Sequence, residues 1–341
     1  MLTVVCPGQG AQKPGMLAQW CELDGVTDLL EEWSKSAQID LIRHGTVSDA
    51  ETIRDTAIAQ PLIVASSLLS WQVLSATLSE QYETEIVNQS LIVAGHSVGE
   101  FAAAAIAGVL EPAAAIALVA ERGRLMAECA AITPTGMAAV VGGNADEVFA
   151  AIEQAGLTPA NLNSRGQIVA AGAQDALAAL AANPPARTRV VPLEVAGAFH
   201  TAYMDQARVS LARKAAEIKA FNPFALLLSN RDGAVVASGQ DYLDRLVSQV
   251  TTPVHWTDCM ATMADLGATG VLELTPSGVL LGLVKRDLRA VARQGIDSPA
   301  DLPAAAAFVA EHQPVFHTSA DSAGEPASSA PAADAAKATS A

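Results

Sequence analysis

Charge is scarce in this chain, and basic charge scarcest. Asp, Glu, Lys and Arg make up only 16% of its 341 residues, with 20 basic against 36 acidic residues and a formal net charge of -16 at pH 7. Such a surface repels phosphate backbones, which excludes nucleic acid as a partner, and it disfavours anionic membrane surfaces for the same reason. Cysteine is also sparse. Cys6, Cys21, Cys129 and Cys259 stand far apart with no CxxC pair, so neither a disulfide framework nor a zinc site is expected. Reduced, unpaired thiols in a cytoplasmic protein fit this spacing. Uninterrupted apolar runs of the roughly 18 residues a membrane span needs are missing. The nearest, 101–110, is short, Ala-rich and closed by Glu111-Pro112. The first residues have neither a basic stretch nor a long apolar run, so no secretory leader is expected.

What is present is apolar residue, 51% of the chain, enough for a large core. Short apolar runs alternate with longer helical stretches. Residues 2–6 and 90–94 read as buried strands, each ending in a Gly-containing turn. Residues 24–37, 55–78, 100–107 and 112–129 read as helices, the last opening on a first-turn proline. Strands without alternating polarity, each followed by a helix, indicate a mostly parallel sheet covered on both faces. Residues 137–192 have another rhythm: strand 137–141, helix 145–154, strands 157–162 and 167–171, helix 175–182, strand 187–192. That β-α-β-β-α-β order is ferredoxin-like. The expected architecture is therefore α/β, an α/β-hydrolase-like large domain with a small ferredoxin-like domain inserted: residues 1–131 and 199–316 in the first, 132–198 in the second. A long helix over 202–220 and segments 226–228, 243–250 and 271–274 resume the first pattern. Residues 317–341 hold no large apolar side chain and are expected to form a disordered tail.

The sharpest local motif is Gly95-His96-Ser97-Val98-Gly99, a G-x-S-x-G between a buried strand and a helix. The glycines permit a tight turn that projects the serine hydroxyl. The following helix N-terminus brings free N–H groups close, and the Val98 N–H would face a developing oxyanion. A serine nucleophile needs a base. Of six histidines, His200 in Gly197-Ala198-Phe199-His200 lies just before a helix and follows Ser97 in the chain, the order seen in α/β-hydrolase-type folds. His96 helps to shape the turn. No third carboxylate stands out: Asp175, Glu194 and Asp205 are open alternatives, and a main-chain carbonyl could orient the imidazole as well.

Seven segments in order then carry a resemblance. They are Pro7-Gly8-Gln9-Gly10-Ala11-Gln12, Gly95-His96-Ser97-Val98-Gly99-Glu100, Glu121-Arg122-Gly123, Asn161-Leu162-Asn163-Ser164, Gly197-Ala198-Phe199-His200, Gln249-Val250-Thr251-Thr252-Pro253-Val254 and Thr275-Pro276-Ser277-Gly278-Val279-Leu280. Over about residues 1–310 the chain resembles the malonyl-CoA:acyl-carrier-protein transacylases, which load the carrier protein of fatty-acid synthesis. The resemblance implies Ser97 as the nucleophile that becomes a malonyl ester and His200 as its base. It implies Gln9 and the Val98 N–H as the oxyanion hole, Arg122 as the grip on the free carboxylate, and the Gln249 carbonyl as the support of the imidazole. Asn163 and Gln60 match positions lining the site. Phe199 beside the base goes with malonyl rather than methylmalonyl selectivity.

The chemistry agrees. A guanidinium matches a carboxylate with two parallel hydrogen bonds, and a buried one rejects neutral acyl groups. On the residues alone, Arg122 reads more readily as a surface ion pair with Glu121 or Glu128, and the resemblance reverses that reading. The implied partners are malonyl-CoA as substrate and holo acyl carrier protein as acceptor. No bound cofactor or metal is implied, and a monomer is the expected state. Because carrier proteins of this family are acidic, docking calls for a local basic patch, with Lys285, Arg286, Arg289 and Arg293, or Arg187 and Arg189, as candidates. The rival readings are a serine esterase or thioesterase on the same elbow, a malonyl transferase of a malonate decarboxylase or polyketide pathway, and a non-catalytic homologue that binds carrier protein.

Overall fold

Leu2–Cys6 (β1) is buried at all five positions and has two faces to fill. Leu2, Val4 and Cys6 point into one apolar cluster and Val5 into another on the opposite side of the sheet. Both faces are covered, so the strand is apolar throughout. The computed structural model describes residues 1–82 and 91–312. The expected tail at 317–341 and the first residue of the expected strand 90–94 lie outside them.

After β1 come α1 (Val26–Ala37), α2 (Leu41–Thr46) and α3 (Thr56–Tyr82). By length and composition α3 could span a membrane, although its sequence is not uninterruptedly apolar. Here it is a core helix, with Leu62, Ile63, Val64 and Leu69 buried and the hydroxyls of Ser66, Ser67 and Ser70 hydrogen-bonded to main-chain carbonyls. Then follow β2 (Ile92–Gly95), α4 (Gly99–Ile106) and α5 (Pro112–Ile132).

The middle segment comprises β3 (Thr135–Gly142), α6 (Ala145–Gln154), β4 (Thr158–Ser164), β5 (Gln167–Ala173), α7 (Gln174–Ala182) and β6 (Thr188–Pro192). These strands form a four-stranded antiparallel sheet in the order β4-β5-β3-β6, the ferredoxin-like arrangement. Its edge strand β4 is tied to the rest of the molecule. Leu162 N donates to Val254 O at 2.8 Å and Val254 N to Ala160 O at 2.9 Å. Covering an edge this way both protects it and fixes the neighbouring Asn161 and Asn163 in space.

The chain returns through α8 (Asp205–Ala215), β7 (Leu226–Leu227), α9 (Gly239–Ser248), α10 (Trp256–Asp265), β8 (Gly270–Glu273), α11 (Val279–Asp287), β9 (Ala292–Gly295) and α12 (Leu302–His312). Strands of the first and last thirds make a five-stranded sheet, β7-β2-β1-β8-β9, parallel throughout. Helices α2, α10, α11 and α12 were not assigned from the sequence, and two further details differ from the expectation. The helix expected over 202–220 is a 3-10 turn at Ala202–Met204 and then α8, which stops at Ala215. Beyond it the backbone is used elsewhere: Phe221 N donates to Val109 O and Phe224 N to Ala107 O, both at 3.0 Å. Strand β9 was not anticipated, because its sequence Ala-Arg-Gln-Gly is half-buried and carries no strand pattern.

Candidate active site

Between β2 and α4 three residues reverse the chain. Ser97 sits there at φ +51°, the left-handed region that a side chain rarely adopts. A Cβ on Gly95 would run into the Gly99 carbonyl and one on Gly99 into the Cys6 carbonyl, so only glycine lets the turn close against β1. Strain of this kind typically costs about 1–3 kcal/mol and persists where neighbours enforce it. They do so here. Ser97 N donates to Asn230 Oδ1 at 2.7 Å, Asn230 Nδ2 donates to Gly95 O at 2.7 Å, and Gln249 Nε2 donates to Ser97 O at 2.9 Å.

His200 also has a left-handed backbone, φ +61°, where the chain leaves the antiparallel sheet. Its Nε2 lies 2.7 Å from Ser97 Oγ, and its Nδ1–H donates to the main-chain oxygen of Gln249 at 2.8 Å. That second bond leaves Nε2 free to accept the serine proton. Burial, reinforced by the nearby Arg122 cation, holds the imidazole pKa down to about 3, so the ring is neutral and basic-side ready at ordinary pH. The three carboxylates considered as its partner are engaged elsewhere. Glu194 pairs with Arg54 at 2.9 Å, Asp205 with Arg208 at 2.8 Å, and Asp175 accepts from Ala176 N at 2.8 Å.

Arg122 comes from α5, where the next residue is Gly123. A Cβ at 123 would lie 2.8 Å from Thr56 O, so glycine lets α5 seat against the start of α3 and brings Arg122 to Gln60. The guanidinium is 1% exposed. Its Nη1 donates to Gln60 Oε1 at 2.5 Å and its Nη2 to Gln249 Oε1 at 2.7 Å, with Nη2 also 3.5 Å from Ser97 Oγ. Nε is buried with no partner among the described residues. Both side-chain partners are neutral amide oxygens, so the charge is not cancelled by direct contact and stays available beside the nucleophile. Burial lowers its pKa to about 9, which keeps it charged at neutral pH. The surface ion-pair reading of Arg122 is thereby corrected. Glu121 and Glu128 are taken by Arg124, at 2.6 and 2.5 Å, because that residue and not Arg122 is on the solvent face of α5.

Ser97, His200 and Arg122 line one cleft of about 220 Å³ together with Gln9, Gln60, Asn163 and Phe199. Gln9 Nε2 donates to Thr56 Oγ1 at 3.2 Å. Among the described residues no acceptor engages the main-chain N–H of Gln9 or of Val98, whereas that of Ser97 is taken by Asn230. His96 Nε2–H donates to Asn163 Oδ1 at 2.7 Å, and Asn163 Nδ2 to Gln167 Oε1 at 3.2 Å. Phe199 is buried at the wall of the cleft. Sequence reasoning missed Asn230 and the side chain of Gln249, because neither forms a local pattern with Ser97. Glu100 was quoted only as the end of a motif. No three of His, Cys, Asp and Glu are grouped as a metal site among the described residues.

A strained serine at a strand-to-helix elbow, in contact with a histidine, on an α/β sheet that carries an antiparallel insert, defines the class of serine-based acyl-transferring folds. The model of the acyl transferase domain family matches residues 3–304, and the chain belongs to this family, among its malonyl-CoA:acyl-carrier-protein transacylases. It is 49% identical over 302 residues to the malonyl CoA-acyl carrier protein transacylase of Mycobacterium tuberculosis, covering 89% of this chain and 98% of the relative. The crystal structure of the enzyme from the same organism superposes with a TM-score of 0.85, covering 89% and 99% of the two chains. A malonyl-transacylase in complex with a type II polyketide acyl-carrier protein, 29% identical, superposes with a TM-score of 0.80 over 90% and 99%.

Proposed function

We propose that the protein transfers the malonyl group from malonyl-CoA to the phosphopantetheine thiol of acyl carrier protein, supplying fatty-acid synthesis. The observation that carries this reading is the 2.7 Å contact of Ser97 Oγ with His200 Nε2, beside a buried guanidinium 3.5 Å from the same oxygen. In the first half-reaction Ser97 Oγ attacks the thioester carbonyl while His200 Nε2 takes its proton. The tetrahedral oxyanion is received by the main-chain N–H groups of Val98 and Gln9. The C–S bond breaks, CoA leaves, and His200 returns the proton to its sulfur. In the second half-reaction the carrier-protein thiol gives its proton to His200 and attacks the malonyl ester, and Ser97 Oγ recovers the proton as it leaves. Arg122 holds the free carboxylate through both steps. Phe199 limits the space at the α-carbon, which favours malonyl over methylmalonyl groups. No bound cofactor enters the sequence.

Residues 1–131 with 199–316, and 132–198, act in this reading as the two domains whose crevice keeps water from the ester. We place the enzyme in the cytoplasm as a monomer.

Intact-mass measurement tests the reading. Incubation with malonyl-, methylmalonyl- and acetyl-CoA should yield a malonyl adduct on the wild-type chain and none on Ser97→Ala. Absence of the first, or persistence of the adduct on the variant, would sink it.

A further inference from the structure

Glu100 lies on α4 directly behind the elbow, 1% exposed, and the transfer steps make no use of it. Its carboxylate accepts from two N–H donors and faces a hydroxyl whose single proton is shared with Leu228 O at 3.3 Å. Oε1 receives the Asn230 main-chain N–H at 2.7 Å and the Tyr242 hydroxyl at 3.4 Å, and Oε2 receives Gln249 Nε2. Gln249 in turn spends its side-chain amide and its main-chain oxygen on the site. Its main-chain oxygen accepts from His200 Nδ1, its Nε2 donates to Ser97 O as well as to Glu100, and its Oε1 accepts from Arg122 Nη2 at 2.7 Å.

The order of donors along this chain is forced. A carboxylate only accepts and a guanidinium only donates. An amide placed between them fits one way, NH2 toward the carboxylate and oxygen toward the guanidinium. We infer that Glu100 is a positioning residue: together with the Ser97 carbonyl it sets the polarity of the Gln249 amide and thereby holds Arg122 in the orientation that receives the substrate carboxylate. When ionised, its negative charge, one amide away, also offsets the burial of the cation without covering the guanidinium. Glu100 touches neither substrate nor reacting atoms. The inference rests on the malonyl-transfer reading and deepens it.

Glu100→Gln tests it. A glutamine at 100 turns an NH2 toward the Gln249 NH2. Inverting Gln249 relieves that contact at the cost of its bond to Ser97 O, and presents its NH2 to Arg122. The ratio of kcat/KM for malonyl-CoA over acetyl-CoA should fall about tenfold or more, as for one lost hydrogen bond to a charged group, in protein that still melts cooperatively. Tyr242→Phe removes the hydroxyl shared between Glu100 and Leu228 O without touching Gln249 and should leave the ratio within about twofold.

A pH profile gives a second readout. Burial raises Glu100 to about 7, and a protonated Glu100 becomes a donor toward Gln249. The wild-type ratio should therefore fall as pH drops through about 7, while that of Glu100→Gln stays flat. Of the other titratable groups around Glu100, Tyr242, Cys259 and Cys6 are pushed up by burial and stay neutral, and Arg122 stays charged. An unchanged ratio in folded Glu100→Gln overturns the inference, as does a Tyr242→Phe ratio that falls as far as that of Glu100→Gln. A wild-type enzyme that takes up no malonyl group fails the transfer reading instead.

Discussion

Arg122 is a residue whose burial needs a reason. Desolvating a guanidinium is costly unless its charge is matched, and here the direct side-chain partners of the cation are amide oxygens of Gln60 and Gln249. A site so built gains most from a ligand that brings its own negative charge. Hydrogen bonds to charged groups contribute about 1.5–3 kcal/mol each, and a carboxylate can take two in parallel. Arg122→Ala should therefore lower kcat/KM for malonyl-CoA by roughly 100-fold or more, with a smaller loss for acetyl-CoA. Steady-state kinetics with both substrates decide it, and equal losses would remove Arg122 from the carboxylate role. The sequence alone left Arg122 open between a surface pair and a buried clasp. Position 124, two residues on, resolves the question, because a helix turns about 100° per residue and only one of the two can face solvent.

At the scale of elements, the approach of α5 to α3 is what makes the clasp reachable. Gly123 is the contact, with Thr56 O and Gln60 Cβ 2.8 and 3.4 Å from the position a Cβ would take. Gly123→Ala should force the helices apart, destabilise the fold by about 1–3 kcal/mol, and raise the KM for malonyl-CoA because Arg122 moves with its helix. Thermal melts and kinetics on one preparation check both effects. Most of the elements were legible. β1 and β2 are short apolar runs ending in glycine turns, and α5 opens with Pro112 at its first turn. The end of α8 was not legible. Residues 216–220 have helical composition, but the chain after α8 is pulled aside by pairing of Phe221 and Phe224 with 107–109, a contact more than 100 residues distant in sequence.

The whole molecule sets the problem of its protein partner. At a net charge of -16 it would repel an acidic carrier protein, the kind the resemblance implies, at long range, so the proposed docking calls for local steering. Arg165, Arg286 and Arg289 border one groove where α11 meets the turn between β4 and β5, and none of them is in an ion pair among the described residues. Arg286 is held there by its contact with Ser164 Oγ at 3.3 Å. The double variant Arg286→Glu, Arg289→Glu should raise the KM for carrier protein severalfold, more so at low salt, and leave malonylation of Ser97 by malonyl-CoA nearly unchanged. An unaltered KM would remove this groove as the docking patch.

Local chemistry decides whatever depends on near neighbours in the chain. The apolar strands, the glycine-flanked serine elbow and the β-α-β-β-α-β order of the middle segment are of this kind, since turns, caps and periodicity act over a few residues. Partner choice is not local. That Gln249 O supports His200, that Asn230 pins the elbow 133 residues before it, and that Glu100 and Arg122 share one amide were decided only by folding. Buried donors and acceptors must find each other in three dimensions, and no spacing in the sequence records which will meet.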